Sequence, residues 1–219
     1  QIFPRLDFWG FRFQVKSLKK LNHQVMEIHL EPLKPNAPKA TETAQYFYLR
    51  FHSSASTFDW HPFTCISRPG EKDLCFAIKA LGRDTRVVRG MSEKMRVDVD
   101  GPFGHLHPTQ LKNEVWIVGG VGITPLVSVA REASFAKFPV RVLHAVDTPQ
   151  DQIYPELWNE LQTSNAMLSY RLWNTKSDGF VTQEIIGELL KGAEDSNVYI
   201  AGPEPFIRHV RNLLEFHQI

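Results

Sequence analysis

Cysteine is scarce in this chain, charge of one sign is not in excess, and no long apolar run exists. Each shortage removes a class of function. The two cysteines, Cys65 and Cys75, have no metal-ligand spacing around either of them. They offer no disulfide framework, and a reducing compartment is the simpler setting. An iron–sulfur centre needs a cluster of thiolates that is not there. With 25 Lys and Arg against 24 Asp and Glu, the formal net charge is +1. That balance provides no basic field for nucleic acid or anionic lipid. No apolar stretch approaches the roughly 20 residues of a membrane span, and no signal-peptide pattern opens the chain. The start at Gln1 rather than Met sets the expectation of a piece excised or processed from something longer. What is present is ordinary globular material, 42% hydrophobic and 22% charged over 219 residues, enough for one large domain or two small ones.

Two different patterns divide the chain. Up to about residue 108, apolar and polar residues alternate in segments 11–16, 25–30, 45–51, 74–79 and 95–100, with Pro and Gly between them. Alternation of that kind predicts an antiparallel barrel or sandwich. The polar, Pro-containing segment 33–44 reads as a loop. From about residue 113 the pattern changes to strands at 115–118, 140–145, 167–172 and 198–201, separated by helical periodicity at 125–135, 155–163, 181–191 and 205–216. A βα series of this kind predicts a parallel sheet. The turn-like His107-Pro108-Thr109-Gln110 marks the boundary, giving domains 1–108 and 109–219.

The richest local signal is Val115-Trp116-Ile117-Val118-Gly119-Gly120-Val121-Gly122-Ile123-Thr124-Pro125. A short β-branched run reads as a buried parallel strand. The glycines make a tight turn, Thr124 stands at the expected N-cap and Pro125 at the first helical position. Strand, glycine turn and helix start together place a pyrophosphate on free backbone N–H groups. Gly119, Gly120, Gly122, Ile123, Thr124 and Pro125 are the candidate contacts.

Three further motifs follow the order of a known family: His61-Pro62-Phe63-Thr64-Cys65-Ile66-Ser67, Gly101-Pro102-Phe103-Gly104 and Ala201-Gly202-Pro203-Glu204-Pro205-Phe206. With the glycine turn they resemble the ferredoxin–NADP reductase superfamily over nearly the whole chain. The His-Pro-Phe-Thr form is similar to the dehydrogenase domain of the NADPH oxidase and ferric reductase family. In its compactness the chain looks most like a bacterial NADPH oxidase. The resemblance implies an FAD-binding β-barrel at 1–108 and an NADP-binding α/β domain at 109–219.

It also implies roles for particular residues. His61 and Pro62 would border the flavin's diphosphate or ribityl chain, Phe63 would face the isoalloxazine, and the Thr64 hydroxyl would sit near N5 as a catalytic group. Lys79, Gly82 and Thr85 would hold the FAD pyrophosphate. Residues 101–104 would form a turn bounding the adenine or dinucleotide channel. Ala201, Gly202 and Pro203 would lie beside the nicotinamide, with Ala201 where most relatives carry Cys, so hydride transfer would rest on positioning. Phe216 would be a displaceable lid on the flavin, counted with Thr64 as catalytic. Arg171 and Lys176 would receive the 2′-phosphate of NADPH, while Asp147 would suit the ribose hydroxyls of NADH. No metal ligand set emerges, and His52, His105 and His144 read as packing or surface residues rather than haem ligands.

The implied reaction is hydride transfer from NADPH, with NADH as a second donor, to FAD. Single electrons would then pass to a haem in a transmembrane domain outside this segment, and finally to oxygen as superoxide, on the cytoplasmic side of the plasma membrane. A flavin or ferric reductase, free-standing or membrane-bound, is the alternative. A flavin-binding redox sensor without turnover is the third reading.

Overall fold

The structure is a computed structural model that describes residues 11–52, 59–82, 85–106, 112–132, 135–193 and 195–217. The boundary drawn at residue 108, the turn at 107–110, and Arg83 and Asp84 of the loop after Lys79 lie outside the described residues.

The first half is an antiparallel sheet of β1 (Phe11–Lys20), β2 (Val25–Pro32), β3 (Tyr46–Phe51), β4 (His61–Thr64), β5 (Leu74–Lys79) and β6 (Arg96–Phe103). The strand order is β4-β3-β6-β1-β2-β5, and an isolated bridge between Cys65 and Phe76 joins the two outer ends, curling the sheet toward a barrel. Period-two alternation explains the interior: Phe13, Ile28, Leu30, Phe47, Leu49, Phe76, Val97 and Val99 are all buried in one cluster. The segment between β2 and β3 is loop and turn, as its composition predicts.

The second half has a parallel sheet ordered β10-β7-β8-β9, made of β7 (Glu114–Gly119), β8 (Val140–Val146), β9 (Leu168–Asn174) and β10 (Asn197–Ala201). Its helices are α1 (Thr124–Ala130), α2 (Pro155–Ser164), α3 (Thr175–Asp178), α4 (Gln183–Leu190) and α5 (Glu204–Phe216). Strand β7 is buried along its whole length because both faces are covered. Trp116 and Val118 pack with Leu126 of α1 and Trp158 of α2, whereas Val115 and Ile117 pack with Ile186 of α4 and Val210 of α5.

One helix is shorter than its periodicity predicts. The apolar pattern from residue 125 to 135 ends as helix at Ala130, yet Phe135 and Ala136 remain in the core cluster. They reach it as loop residues, Ala136 with a φ of 53°, so burial continued after the helix had stopped.

The two sheets share one apolar seam. Val25, Ile66, Cys75 and Ala77 of the barrel belong to the same cluster as Trp116, Leu126 and Tyr154. Polar bonds cross it: Ala44 N–H to Ser128 Oγ at 2.9 Å, Arg131 Nη1 to the Ile66 carbonyl at 2.8 Å, and Tyr154 Oη to Glu27 Oε2 at 2.6 Å. Fixed in this way, the barrel and the α/β domain together shape the spaces between them.

Candidate functional site

Two grooves meet at this seam. The first is built on β4, an edge strand that pairs with β3 alone among the named strands, Tyr48 opposite Pro62 and Tyr46 opposite Thr64. An edge tolerates Pro62, which has no N–H to give to a second neighbour. His61, Pro62, Phe63 and Thr64 line a groove of about 670 Å³. Its opposite wall is Ala77, Lys79, Leu81, Gly82 and Thr85, and it is closed by Val121, Gly122 and Thr124 of the second domain. The Phe63 ring leans on the barrel interior, 6.2 Å from Phe51, and stays only partly buried.

One expected role changes here. Thr85 Oγ1 accepts the N–H groups of Leu81 at 3.0 Å and Gly82 at 2.9 Å, and lies 3.4 Å from the Gly82 carbonyl. The hydrogen bonds that Gly82 and Thr85 were expected to donate to a pyrophosphate are engaged inside the loop. Both residues line the groove, but as a stapled turn.

The second space, of about 450 Å³, opens at the carboxyl ends of the parallel strands, where α/β folds bind ligands. Gly119, Gly120 and Val121 form its floor, and Pro203 and Phe206 bound one side. Asp147 and Thr175 bound another, while Asn22 and Gln24 reach in from the barrel. Lys79 and Val121 line both spaces, so the grooves share a wall.

The glycine turn has a definite division of labour. Residues Gly120–Ile123 form one 3-10 turn that runs straight into α1. The helix therefore begins at Thr124 itself, with Ile123 in the cap position, instead of being capped by Thr124. Gly120 has a φ of 54° and open space where a Cβ would stand. A Cβ on Gly122 would lie 2.6 Å from both Cα and N of Gly202, so the turns after β7 and β10 touch backbone to backbone. Ile123 is fully buried in the core, and Pro125 stands in the first turn of α1 without lining either groove.

Beneath this turn lies His144 of β8, fully buried. Its Nε2 is 2.9 Å from the Gly120 carbonyl and its Nδ1 is 2.7 Å from Tyr170 Oη. Burial lowers its pKa to about 4 against the opposing pull of the Gly120 bond. The ring is neutral near pH 7, and this network assigns it as donor to Gly120 and acceptor from Tyr170. His52 and His105 instead pair with carboxylates, Asp98 at 2.7 Å and Glu42 at 3.0 Å.

Comparison with known proteins matches both halves. Residues 10–107 fit the model of an FAD-binding domain and residues 116–212 that of an oxidoreductase NAD-binding domain. The chain is an FAD- and NAD-binding oxidoreductase. It is 31% identical over 138 residues to NADPH oxidase 1 of Mus musculus, covering 59% of this chain and 23% of that one. It is 24% identical over 216 residues to NADH-cytochrome b5 reductase 2 of Lodderomyces elongisporus, covering 90% of this chain and 72% of the relative. Its fold superposes on the CS-b5R domains of human Ncb5or (NAD+ form) with a TM-score of 0.80 at 21% identity, over 99% of this chain and 69% of that one. The chain thus spans under a quarter of the length of the oxidase it matches.

Within this oxidoreductase the remaining candidates separate. Ala201 ends β10 opposite Val118 and Gly202 has a φ of 152°; of the three residues at this turn, Pro203 lines the cleft. Lys176 is exposed on α3, its N–H 3.2 Å from the Asp147 carbonyl and next in sequence to Thr175 of the cleft. Arg171 is not brought there. It lies three residues before the end of β9, paired with Glu188 of α4 at 3.0 Å and stacked over Trp173 at 5.2 Å.

Phe216 stands apart from both spaces in this structure. It is the last residue of α5, 75% exposed, in edge contact with His217, and lines neither groove. Helix α5 starts at the cleft with Phe206, and ten further residues at about 1.5 Å each carry Phe216 away from it. The residues at 101–104 also line neither groove; Gly101 is there because a Cβ would meet Phe47 at 2.6 Å. Among the cleft residues that escaped the sequence reading are Phe180, 78% exposed, His209, whose ring contacts the Val181 carbonyl at 2.7 Å, and Asn22 and Gln24 from the barrel. Phe206 was visible within its motif, but its packing under Gly119 was not.

Proposed function

We propose that this chain is the dehydrogenase module of a membrane electron-transfer oxidase. NADPH, or NADH, binds in the cleft at the carboxyl end of the parallel sheet, and FAD lies along the groove on β4 and β5. The flavin supplies two-electron to one-electron conversion, which no side chain can perform. Thr64 and Phe63 orient it, Lys79 supplies positive charge between the two spaces, and Gly120 lets the dinucleotide approach the backbone. Electrons then leave singly to a haem in a transmembrane partner domain on the cytoplasmic side of the plasma membrane, and oxygen becomes superoxide.

The observation that carries this reading is the shared wall at Lys79 and Val121, which brings two cofactor-sized spaces into direct contact. Anaerobic stopped-flow absorbance of the FAD-loaded chain mixed with NADPH, then with NADH, tests it. Fast bleaching of the oxidised flavin band is expected. Bound flavin that never bleaches leaves the non-catalytic sensor in its place.

A second reading, a reductase serving a separate acceptor, is favoured by the alignment with an NADH-cytochrome b5 reductase over nine-tenths of this chain. Asp147 in the cleft also suits unphosphorylated ribose. A rate with NADH well above that with NADPH would support it. Among the described residues no helix is long and apolar enough to cross a membrane.

A further inference from the structure

Strands β2 and β5 pair with His29 opposite Cys75 and Glu27 opposite Ala77. Alternation sends Ile28, Leu30, Phe76 and Ile78 into the barrel. It leaves Glu27, His29 and Cys75 on the outer face, where Val25, Cys75 and Ala77 form part of the interdomain seam. His29 Nε2 stands 2.8 Å from Glu27 Oε1 and 3.5 Å from Cys75 Sγ. One donor atom from each of the three residues lies within 4.8 Å of the others. Glu27 and Cys75 are buried, while the His29 side chain is 38% exposed and opens the group to solvent.

We propose that Glu27, His29 and Cys75 form a binding site for a thiophilic divalent cation, with Zn2+ the best match. A carboxylate, an imidazole and a thiolate are the donors zinc takes, and water fills a fourth, open position. Tetrahedral bonds of about 2.3 Å to sulfur and about 2.0 Å to nitrogen set the two donors roughly 3.5 Å apart. Cys75 Sγ and His29 Nε2 already stand at that separation, 3.5 Å. The edge between Glu27 and His29, now 2.8 Å, has to widen by roughly half an ångström to match the same bond lengths.

The surroundings hold the donors in place. Glu27 Oε2 accepts the Tyr154 hydroxyl at 2.6 Å, which orients the carboxylate and leaves Oε1 for the cation. Arg131, the nearby cation, donates to the Ile66 carbonyl at 2.8 Å, lies 5.4 Å from the centre of the Tyr154 ring and also reaches the Cys75 side chain, a contact that the bound ion has to displace. Binding exchanges a proton for the metal: the Cys75 S–H bond breaks, H+ goes to solvent, and sulfur bonds the cation without change of oxidation state. The soft thiolate selects against Mg2+ and Ca2+. A cation here would stiffen the seam, since its carboxylate ligand is the group that Tyr154 grips from the other domain. This site is independent of the electron-transfer reading.

The test uses the FAD-loaded 219-residue chain. Equilibrium dialysis against Zn2+ should find one ion per chain. Co2+ in its place should give thiolate charge-transfer absorption and strong d–d bands beyond the flavin spectrum. Cys75→Ser should abolish the charge-transfer band, and His29→Gln should weaken Zn2+ binding by roughly tenfold or more. Should Cys75→Ser not fold, His29→Gln decides alone, because its position is partly exposed. No bound ion in the unaltered chain, or binding that His29→Gln leaves unchanged, overturns the proposal.

Discussion

The imidazole of His144 carries the carbonyl of Gly120, 2.9 Å away, from beneath the turn that floors the dinucleotide cleft. Replacing it by Ala strands that carbonyl in a buried place and removes the acceptor of the Tyr170 hydroxyl proton, while the Gln152 amide at 3.1 Å still donates to that hydroxyl. The expected cost is about 2 kcal/mol at neutral pH, measured as a lower urea midpoint, with weaker dinucleotide binding.

The same ring sets a pH dependence. Its folded pKa of about 4 lies below the ordinary 6.5, so the unfolded chain binds the proton more readily. Stability from this group is complete above pH 6.5 and falls as pH drops toward 4. The loss is on the order of 3 kcal/mol. Urea midpoints between pH 8 and pH 4 should show a flatter acid slope in His144→Gln than in the unaltered chain; equal slopes would remove His144 as the cause.

Gly120 and Gly122 should answer differently to alanine. At Gly122 the new Cβ would press on the Gly202 backbone, 2.6 Å away, and neither side can give. We expect a loss of about 2 kcal/mol or more. At Gly120 there is room, and the cost is the left-handed backbone alone, about 1 kcal/mol. Chemical denaturation of both variants ranks them, and a reversed order would refute the backbone contact.

Tyr154→Phe removes one hydroxyl from the seam. Burial by itself would raise the Glu27 carboxyl, but the bonds from His29 and Tyr154 outweigh it and hold it below the ordinary range. Losing the Tyr154 donor should cost about 2 kcal/mol, read from thermal unfolding. Combined with Glu27→Gln, the two changes should be non-additive in a double-mutant cycle.

Cofactor contacts should follow placement. Phe216→Ser is expected to leave the flavin spectrum and nicotinamide affinity unchanged, because the ring stands at the outer end of α5. Lys176→Ala should reduce the ratio of NADPH to NADH affinity, while Arg171→Ala, held by Glu188, should leave it alone. Titration of each variant with both dinucleotides decides between them, and a changed ratio in Arg171→Ala alone would reverse the assignment.

Period-two alternation and β-branched runs made the two sheets legible, because burial on one face or both writes itself into local sequence. The glycine turn and the His-Pro-Phe-Thr strand were legible for the same reason: each motif is contiguous, the strand lining one groove and the turn standing between the two. What stayed hidden depends on distance in the chain. Glu27 and Tyr154 are 127 positions apart, and Cys75 meets His29 only through strand pairing. Thr124 was misplaced as a cap because the preceding 3-10 turn has no side-chain signature. Arg171 has the right charge beside the right strand, but the alternation of β9 turns it toward α4.

A wall common to two binding spaces makes their occupants thermodynamic neighbours. If FAD fixes Lys79 and Val121 in the positions that the dinucleotide needs, the dinucleotide must tighten FAD by the same factor. A preparation that has shed its flavin would then under-report its grip on NADPH, and added dinucleotide would slow the shedding.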